Sequence, residues 1–161
     1  MVNSKASSVL IFCTVNLPLA RAIQYFSVGY GHAALVINYG MGDAEYWIDA
    51  RAGGVKPRPP ETNLHSAYVI RIPWDIEPGM RQLIGTLYNY RGGVAQALHF
   101  RWNDPHAVFC DQALLEASEI VGMPVCNWDR EDKVTPIVAC DMFVARTLGM
   151  TGRPPEVLRS F

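Results

Sequence analysis

A histidine and a cysteine occupy two places in the chain where their side chains could serve as a base and a nucleophile. His32 opens an apolar run that is typical of a strand, and Cys110 opens a run that is typical of a helix. A thiol is a useful nucleophile only as thiolate, and both a helix N-terminus and a neighbouring imidazolium lower its pKa. The two settings therefore predict Cys110 as nucleophile and His32 as its base.

An acidic residue between them is the candidate for orienting the histidine. Asp49 lies in an apolar and aromatic run that starts at Tyr46 and ends at a glycine pair, Gly53 and Gly54. Residues 38–43 are rich in turn formers and separate this run from the His32 strand, which predicts a β-hairpin. A triad is defined by spatial roles rather than by order along the chain. The three residues can therefore act together from separate segments.

The hairpin allows a register to be predicted. With the turn centre between Gly40 and Met41, antiparallel pairing sets His32 opposite Asp49, on one face of the sheet and within side-chain reach. Glu45 would pair several residues further along the strand, so it is the weaker alternative for the third role. A bulge in either strand would change this ranking.

Short motifs along the chain resemble the circularly permuted NlpC/P60 cysteine hydrolases. The motifs are Tyr30–Ile37, Ile48–Ala50, Gly53–Val55 and Phe109–Leu114. Upstream, Val9–Phe12 and Leu19–Phe26 look like the first strand and the short helix of that family, and Thr135-Pro136 fits downstream. The resemblance covers most of the chain and depends on the order of the motifs more than on any one of them.

The resemblance implies a permuted papain-like α+β fold, with a central antiparallel sheet packed against helices and a nucleophile at a helix N-terminus. It also implies Cys110 as nucleophile, His32 as base and Asp49 as the polar third residue. Two departures stand out. The hairpin after His32 is longer than the tight turn usual in the family, and Asp111-Gln112 replaces the more common Ser-Glu after the cysteine.

The predicted activity is hydrolysis of an amide or peptide bond through an acyl-enzyme. His32 withdraws the Cys110 proton, the thiolate attacks the carbonyl and water releases the acyl group. The backbone amide of Cys110 is the natural oxyanion donor. The resembled family implies a bacterial cell-wall peptide as a substrate, with thioester hydrolysis or acyl transfer as the alternative. A catalytically silent papain-like binding module is a further alternative, because a fold does not imply a function.

Composition limits the classes of partner. A chain of 161 residues with 50% hydrophobic content predicts a single domain over residues 1–161. A net charge of −1 and only 18% charged residues argue against nucleic acid as a partner. No apolar stretch approaches the roughly 20 residues needed to cross a bilayer, so we expect no stable membrane anchor. The oligomeric state stays open.

The N-terminal apolar run can be interpreted in two ways. Val9–Val15 has the character of a secretory signal, but Asn16 and Pro18 interrupt the apolar stretch and its β-branched residues suit a buried first strand. We therefore expect synthesis in the cytoplasm. A peptidoglycan substrate would then require delivery by a secretion system, a lysis partner or a phage particle.

The remaining cysteines and histidines give weaker signals. Four scattered cysteines without close pairs predict free thiols and neither a metal site nor a bound cofactor, although a bridge from Cys110 to Cys126 stays possible. Cys13, Cys126 and Cys140 are predicted to be structural. His106, four residues before Cys110, competes with His32 for the role of base.

Periodicity and turn signals predict the elements that position these residues. The predicted strands span 8–15, 32–38, 44–50 and 67–72, and the predicted helices span 18–27, 78–90, 108–121 and 136–148. The proline-rich segment from Lys56 to Glu61 is predicted to be a loop unless it forms a sheet edge. Two helical stripes are predicted to be core: Ile84, Leu87 and Tyr88 in one, and Ala113, Leu114, Ala117 and Ile120 in the other.

Overall fold

The computed structural model describes residues 7–15, 30–40, 45–89, 106–127 and 134–160. The strands are β1 (Ser8–Val15), β2 (His32–Ile37), β3 (Tyr46–Arg51), β4 (Gly54–Arg58), β5 (Leu64–Ile72), β6 (Leu87–Tyr88), β7 (Ala107–Val108) and β8 (Glu156–Ser160). The helices are α1 (Glu77–Gln82), α2 (Cys110–Ile120) and α3 (Pro136–Thr151). Six strands form a sheet in the order β4-β3-β2-β1-β5-β8, with every neighbouring pair antiparallel. The predicted α+β class, with a central antiparallel sheet packed against helices, is confirmed.

Apolar layers cover both faces of the sheet, and β1 lies in its middle. All eight residues of β1 are buried, which explains why its sequence is apolar without alternation from Val9 to Cys13. The layer between the sheet and the helices includes Leu10, Phe12, Leu35, Leu114 and Phe143. The layer on the opposite face includes Val9, Ile11, Val36, Trp47 and Val69.

Helix α2 begins at Cys110, two residues later than predicted. The reason lies outside the helix, because Ala107 and Val108 pair in parallel with Leu87 and Tyr88 as a short β6–β7 ladder. Ala113, Leu114 and Ala117 are buried as predicted, whereas Ile120 in the exposed last turn is 42% exposed. The prediction of a core role for Ile120 is therefore wrong.

The helix predicted over 78–90 is wrong beyond its first turns. Helix α1 ends at Gln82, and Gly85, with a φ of 95°, turns the chain toward β4. There the Gly85 amide donates to the Val55 carbonyl, and the Val55 amide donates to the Thr86 carbonyl. These bonds replace the helical ones. Of the predicted core stripe, Tyr88 is buried, but Ile84 is 40% and Leu87 is 66% exposed.

The segment predicted to be a loop from Lys56 to Glu61 is partly strand. Strand β4 includes Pro57 and forms one edge of the sheet, where a residue without an amide donor is tolerated. Strand β5 begins three residues earlier than predicted, at Leu64, and β8, at the other edge, was not predicted. The helix predicted over 18–27 lies outside the described residues.

Helix α3 starts where predicted, with Pro136 at its first position and the Thr135 hydroxyl accepting a hydrogen bond from the Val138 amide. It continues through Gly149 and ends at Thr151, and the next residue, Gly152, has a φ of 70°, the left-handed conformation that favours glycine. At 16 residues, α3 is the longest helix in the described part of the chain. None of the helices described there is long and apolar enough to cross a membrane.

Candidate functional site

His32 and Asp49 are in direct contact. His32 Nε2 lies 2.8 Å from Asp49 Oδ2, and both residues are buried. An ionised carboxylate can only accept hydrogen bonds, so the imidazole carries a proton on Nε2. In the neutral ring this leaves Nδ1 as the nitrogen with a free lone pair. Asp49 thus fixes the tautomer that a general base requires.

The register that brings the two residues together differs from the predicted one. Leu35 pairs with Ile48, two positions away from the predicted partner. The same register, continued by one residue pair, sets Asp49 against Ala34, so its bond to His32 is diagonal. The predicted directly opposite pairing of His32 and Asp49 is therefore wrong, although the predicted contact is present.

The other end of the hairpin explains the displaced register. Asn38 adopts a left-handed φ of 51°, and the Glu45 amide donates to the Ile37 carbonyl. The Glu45 carboxylate accepts a hydrogen bond from the Asn38 side chain. The structure therefore places Glu45 at the turn, several residues along β2 from His32, and gives Asp49 the contact with the imidazole.

Two arginines complete the surroundings of Asp49. Arg58 Nε lies 2.8 Å from Asp49 Oδ1, and Arg51 Nη2 lies 2.9 Å from Asp49 Oδ2. Burial alone raises the pKa of Asp49, but the hydrogen bond and charge of His32, together with the Arg51 guanidinium, outweigh it and hold the pKa below its ordinary value. Asp49 is accordingly a carboxylate over the whole neutral range.

Sequence reasoning missed both arginines. Arg51 follows Asp49 by two residues and shares its face of β3, and it also pairs with Glu61. Arg58 reaches Asp49 from β4 because Gly53 and Gly54, with φ values of 85° and 83°, turn the chain directly back. Alternation within β3 would have indicated Arg51, whereas Arg58 depends on the register of a strand that was predicted to be loop.

Cys110 is the first residue of α2 and is 5% exposed. Its Sγ accepts a hydrogen bond from the backbone amide of Ala33, the residue after His32. Sγ also lies 3.8 Å from Asp111 Oδ1. The structure therefore brings the thiol next to the backbone of the His32 strand, but the thiol contacts Ala33 and Asp111 rather than the imidazole ring.

The pKa of Cys110 is shifted in the direction opposite to the one expected from the sequence. A helix N-terminus and an imidazolium were expected to lower it. Burial, followed by the nearby Asp111 carboxylate, instead raises the pKa of the Cys110 thiol well above its ordinary value, and the backbone hydrogen bonds offset only part of this. The resting site thus holds a neutral thiol.

A second thiol lies close to the histidine. Cys13 in β1 is the cross-strand partner of His32 and is fully buried. Burial raises its pKa to about 12, although the Arg51 charge acts in the opposite direction. The negative charge of Asp49 acts on the thiols of both Cys13 and Cys110. Sequence reasoning missed this neighbour because the β1–β2 pairing was not predicted residue by residue.

The other candidate side chains lie elsewhere. Cys126 is half-buried against the Met142 sulfur, at 3.6 Å, and burial raises the pKa of Cys140 to about 12. All four cysteines are free thiols, so Cys110 and Cys126 form no bridge. His106 is exposed just before β7. Within the described ranges no three His, Cys, Asp or Glu side chains are grouped so that they could hold a metal ion.

Comparison with known proteins gives a similarity of fold. No family model and no curated protein matches the chain. The fold is similar to that of the metalloprotein YiiX from Escherichia coli O157:H7, a DUF1105 protein, with a TM-score of 0.53 and 17% sequence identity. The match covers 98% of this chain and 90% of that one. At this identity the similarity concerns the fold alone.

Proposed function

We propose that this protein is a cysteine hydrolase of amide or peptide bonds, with a permuted papain-like fold of the NlpC/P60 type. Cys110 is the nucleophile, His32 the base and Asp49 the residue that orients the base. The observation that carries the proposal is the 2.8 Å bond from His32 Nε2 to Asp49, which leaves Nδ1 as the free proton acceptor of the ring. The next residue along β2, Ala33, contacts the Cys110 thiol through its backbone amide.

The chemical steps follow from the protonation states of these groups. His32 Nδ1 takes the thiol proton as Sγ bonds to the substrate carbonyl carbon, and the carbonyl oxygen becomes an oxyanion. The first amides of a helix have no intrahelical acceptor, so the Cys110 amide can stabilise that oxyanion. The C–N bond then breaks, and His32 gives its proton to the leaving amine. Water, deprotonated by His32, cleaves the thioester and restores the thiol.

The raised pKa of Cys110 decides which form of this mechanism applies. A preformed thiolate–imidazolium pair requires a lowered thiol pKa, whereas burial and Asp111 raise it here. The proton must therefore move when the substrate carbonyl is already in place. His32 then acts as a general base in the step of attack, a contribution that is typically about 10²–10⁴-fold in rate.

The substrate class that the resemblance favours is a peptide of the bacterial cell wall. Acyl transfer or thioester hydrolysis would use the same three residues, since both proceed through a thioester to Cys110. A catalytically silent binding module is the second candidate, because the thiol contacts Asp111 and Ala33 instead of the imidazole. Acylation of the thiol separates the two enzymatic functions from the binding module, and turnover of defined substrates then separates the enzymatic functions from each other.

The test is acylation by p-nitrophenyl acetate, followed by peptide mapping of all four cysteines by mass spectrometry. We expect a burst of p-nitrophenolate and an acetyl group on Cys110. His32→Gln, which keeps a donor for Asp49, is expected to slow acetylation by about 10²–10⁴-fold. Cys126→Ser is the matched control and should leave the burst unchanged.

The outcome then directs the choice of substrate. Acetylation of Cys110, followed by turnover of cell-wall peptides, would support the amidase, and turnover of thioesters alone would support the acyl-group alternative. Acetylation of Cys13 would instead identify Cys13, in β1, as the nucleophile. A folded protein that acquires no acetyl group on any cysteine would overturn the hydrolase in favour of the binding module.

A further inference from the structure

The carboxyl group of Asp111 lies against the thiol of Cys110. Asp111 is 2% exposed, and its Oδ1 is 3.8 Å from Cys110 Sγ, which can donate its proton to that oxygen. Its other oxygen, Oδ2, is buried without a hydrogen-bond partner. A buried carboxylate oxygen without a partner is costly, because nothing replaces the water it has lost. The buried position of Asp111 therefore costs stability. Its contact with the thiol gives a functional reason for that position.

The backbone of α2 holds this carboxyl group in place. It accepts hydrogen bonds from the amides of Asp111 and Gln112, and Gln112 Oε1 in turn accepts one from the Phe109 amide at 3.2 Å. Burial nevertheless dominates and raises the pKa of Asp111 to about 7. Near neutral pH the carboxyl group is therefore partly ionised, whereas the thiol beside it keeps its proton.

Several elements packed against α2 carry charged groups. From β2 and β3 come His32 and Asp49, and the negative charge of Asp49 is balanced by Arg51 and Arg58. On α1, Glu77 pairs with Arg81 at the surface, and on α3, Asp141 acts on the Cys140 thiol. Asp111 is therefore the carboxylate that acts most strongly on Cys110 and has no cation bound to it among these groups.

We propose that Asp111 is a positioning residue that keeps the proton of Cys110 in the resting site, as a second acceptor competing with His32. In its ionised form it accepts the S–H hydrogen bond and repels a thiolate, so Cys110 stays neutral. When Asp111 is protonated, the repulsion disappears and its O–H can donate to the sulfur. In the resting site the thiol proton is hydrogen-bonded to Asp111. During attack, this proton is transferred to His32. The inference rests on the proposed role of Cys110 as nucleophile.

The test is the pH dependence of iodoacetamide alkylation at Cys110 in the full chain, wild type against Asp111→Asn. Asparagine keeps the shape and an acceptor but not the charge. We expect the midpoint for Cys110 to fall by about one pH unit, which makes alkylation about tenfold faster at any pH below both midpoints. Cys126 serves as the internal control, and Glu119→Gln, an exposed acid on the same helix, should leave both thiols unchanged.

A second measurement does not depend on the Asp111 variant. Coupling between two groups is reciprocal, so removing the thiol in Cys110→Ala must alter the titration of Asp111, observed by carboxyl ¹³C NMR. Because the thiol hydrogen bond lowers the pKa of Asp111, we expect a higher pKa in the variant. An unchanged Asp111 titration there, or an unchanged alkylation midpoint in a folded Asp111→Asn, would overturn the inference.

Failure of the inference about Asp111 can be distinguished from failure of the proposed function. Alkylation uses no acyl substrate, so a shifted midpoint together with no acetylation would retain the coupling and reject the hydrolase. Acetylation of Cys110 together with an unshifted midpoint would retain the hydrolase and reject the role of Asp111.

Discussion

Replacing Asp111 with asparagine is expected to change how the stability of the fold depends on pH. Burial raises the pKa of Asp111 from 3.8 to about 7. An acid whose pKa is higher in the folded state binds its proton more tightly there, so folding is favoured at low pH and this advantage is lost as the pH rises from about 4 to about 7. Each pH unit in that interval costs about 1.4 kcal/mol. Complete ionisation of the folded group therefore costs up to about 4 kcal/mol.

The assay is denaturant unfolding of wild type and Asp111→Asn at several pH values between about 4 and about 8. Groups that are common to both proteins cancel in the difference. We expect the stability of the variant relative to wild type to increase by up to about 4 kcal/mol across this range. Glu119→Gln, on the exposed end of the same helix, should show no such increase. A difference between wild type and Asp111→Asn that is the same at every pH would refute the reasoning, because Asp111 would then ionise in the fold without a penalty.

Three further predictions test the packing and the dyad. Gly79→Ala is expected to cost about 1–3 kcal/mol in unfolding experiments, because the added Cβ would collide with a backbone carbonyl of α2; Gly149→Ala, in α3 with open space around it, should instead stabilise by about 0.5–1 kcal/mol. Asp49→Asn should cost about 3–5 kcal/mol, since it removes a fully buried carboxylate from two half-buried guanidiniums. Glu156→Gln, which breaks a surface pair, should cost at most about 1 kcal/mol, and equal losses in the two variants would contradict the importance of burial. In ¹⁵N NMR, neutral His32 should carry its proton on Nε2, and a proton on Nδ1 would exclude the proposed base.

Elements with strong local signals could be predicted from the sequence. The continuous apolar run of β1 identified a buried strand, and its bounds are those predicted. Thr135 and Pro136 identified the start of α3, because a capping hydroxyl and a proline at the first position suit a helix N-terminus in any context. The contact between His32 and Asp49 was also predictable, since it depends on a hairpin whose turn residues are visible in the sequence.

Features that depend on distant parts of the chain could not be predicted. The end of α1 is decided by hydrogen bonds between Val55 and residues about thirty positions later, from the Gly85 amide to the Val55 carbonyl and from the Val55 amide to the Thr86 carbonyl, which no local periodicity reveals. Arg58 joins Asp49 only because β4, which contains Pro57, forms the sheet edge. The raised pKa of Cys110 has the same origin, because the helix N-terminus is visible in the sequence but the burial that outweighs it is not.

The register of the β2–β3 hairpin shows why a candidate site can be found with an imperfect alignment. Side chains alternate between the two faces of a sheet with a period of two residues. The predicted pairing was displaced by two residues, so Asp49 stayed on the face of His32 and exchanged a direct contact for a diagonal one, still at 2.8 Å. A displacement by one residue would have sent the carboxylate, together with Arg51, to the other face and left the buried histidine without this acceptor. For a site built on a hairpin, the face on which a residue lies is therefore more important than the residue directly opposite it.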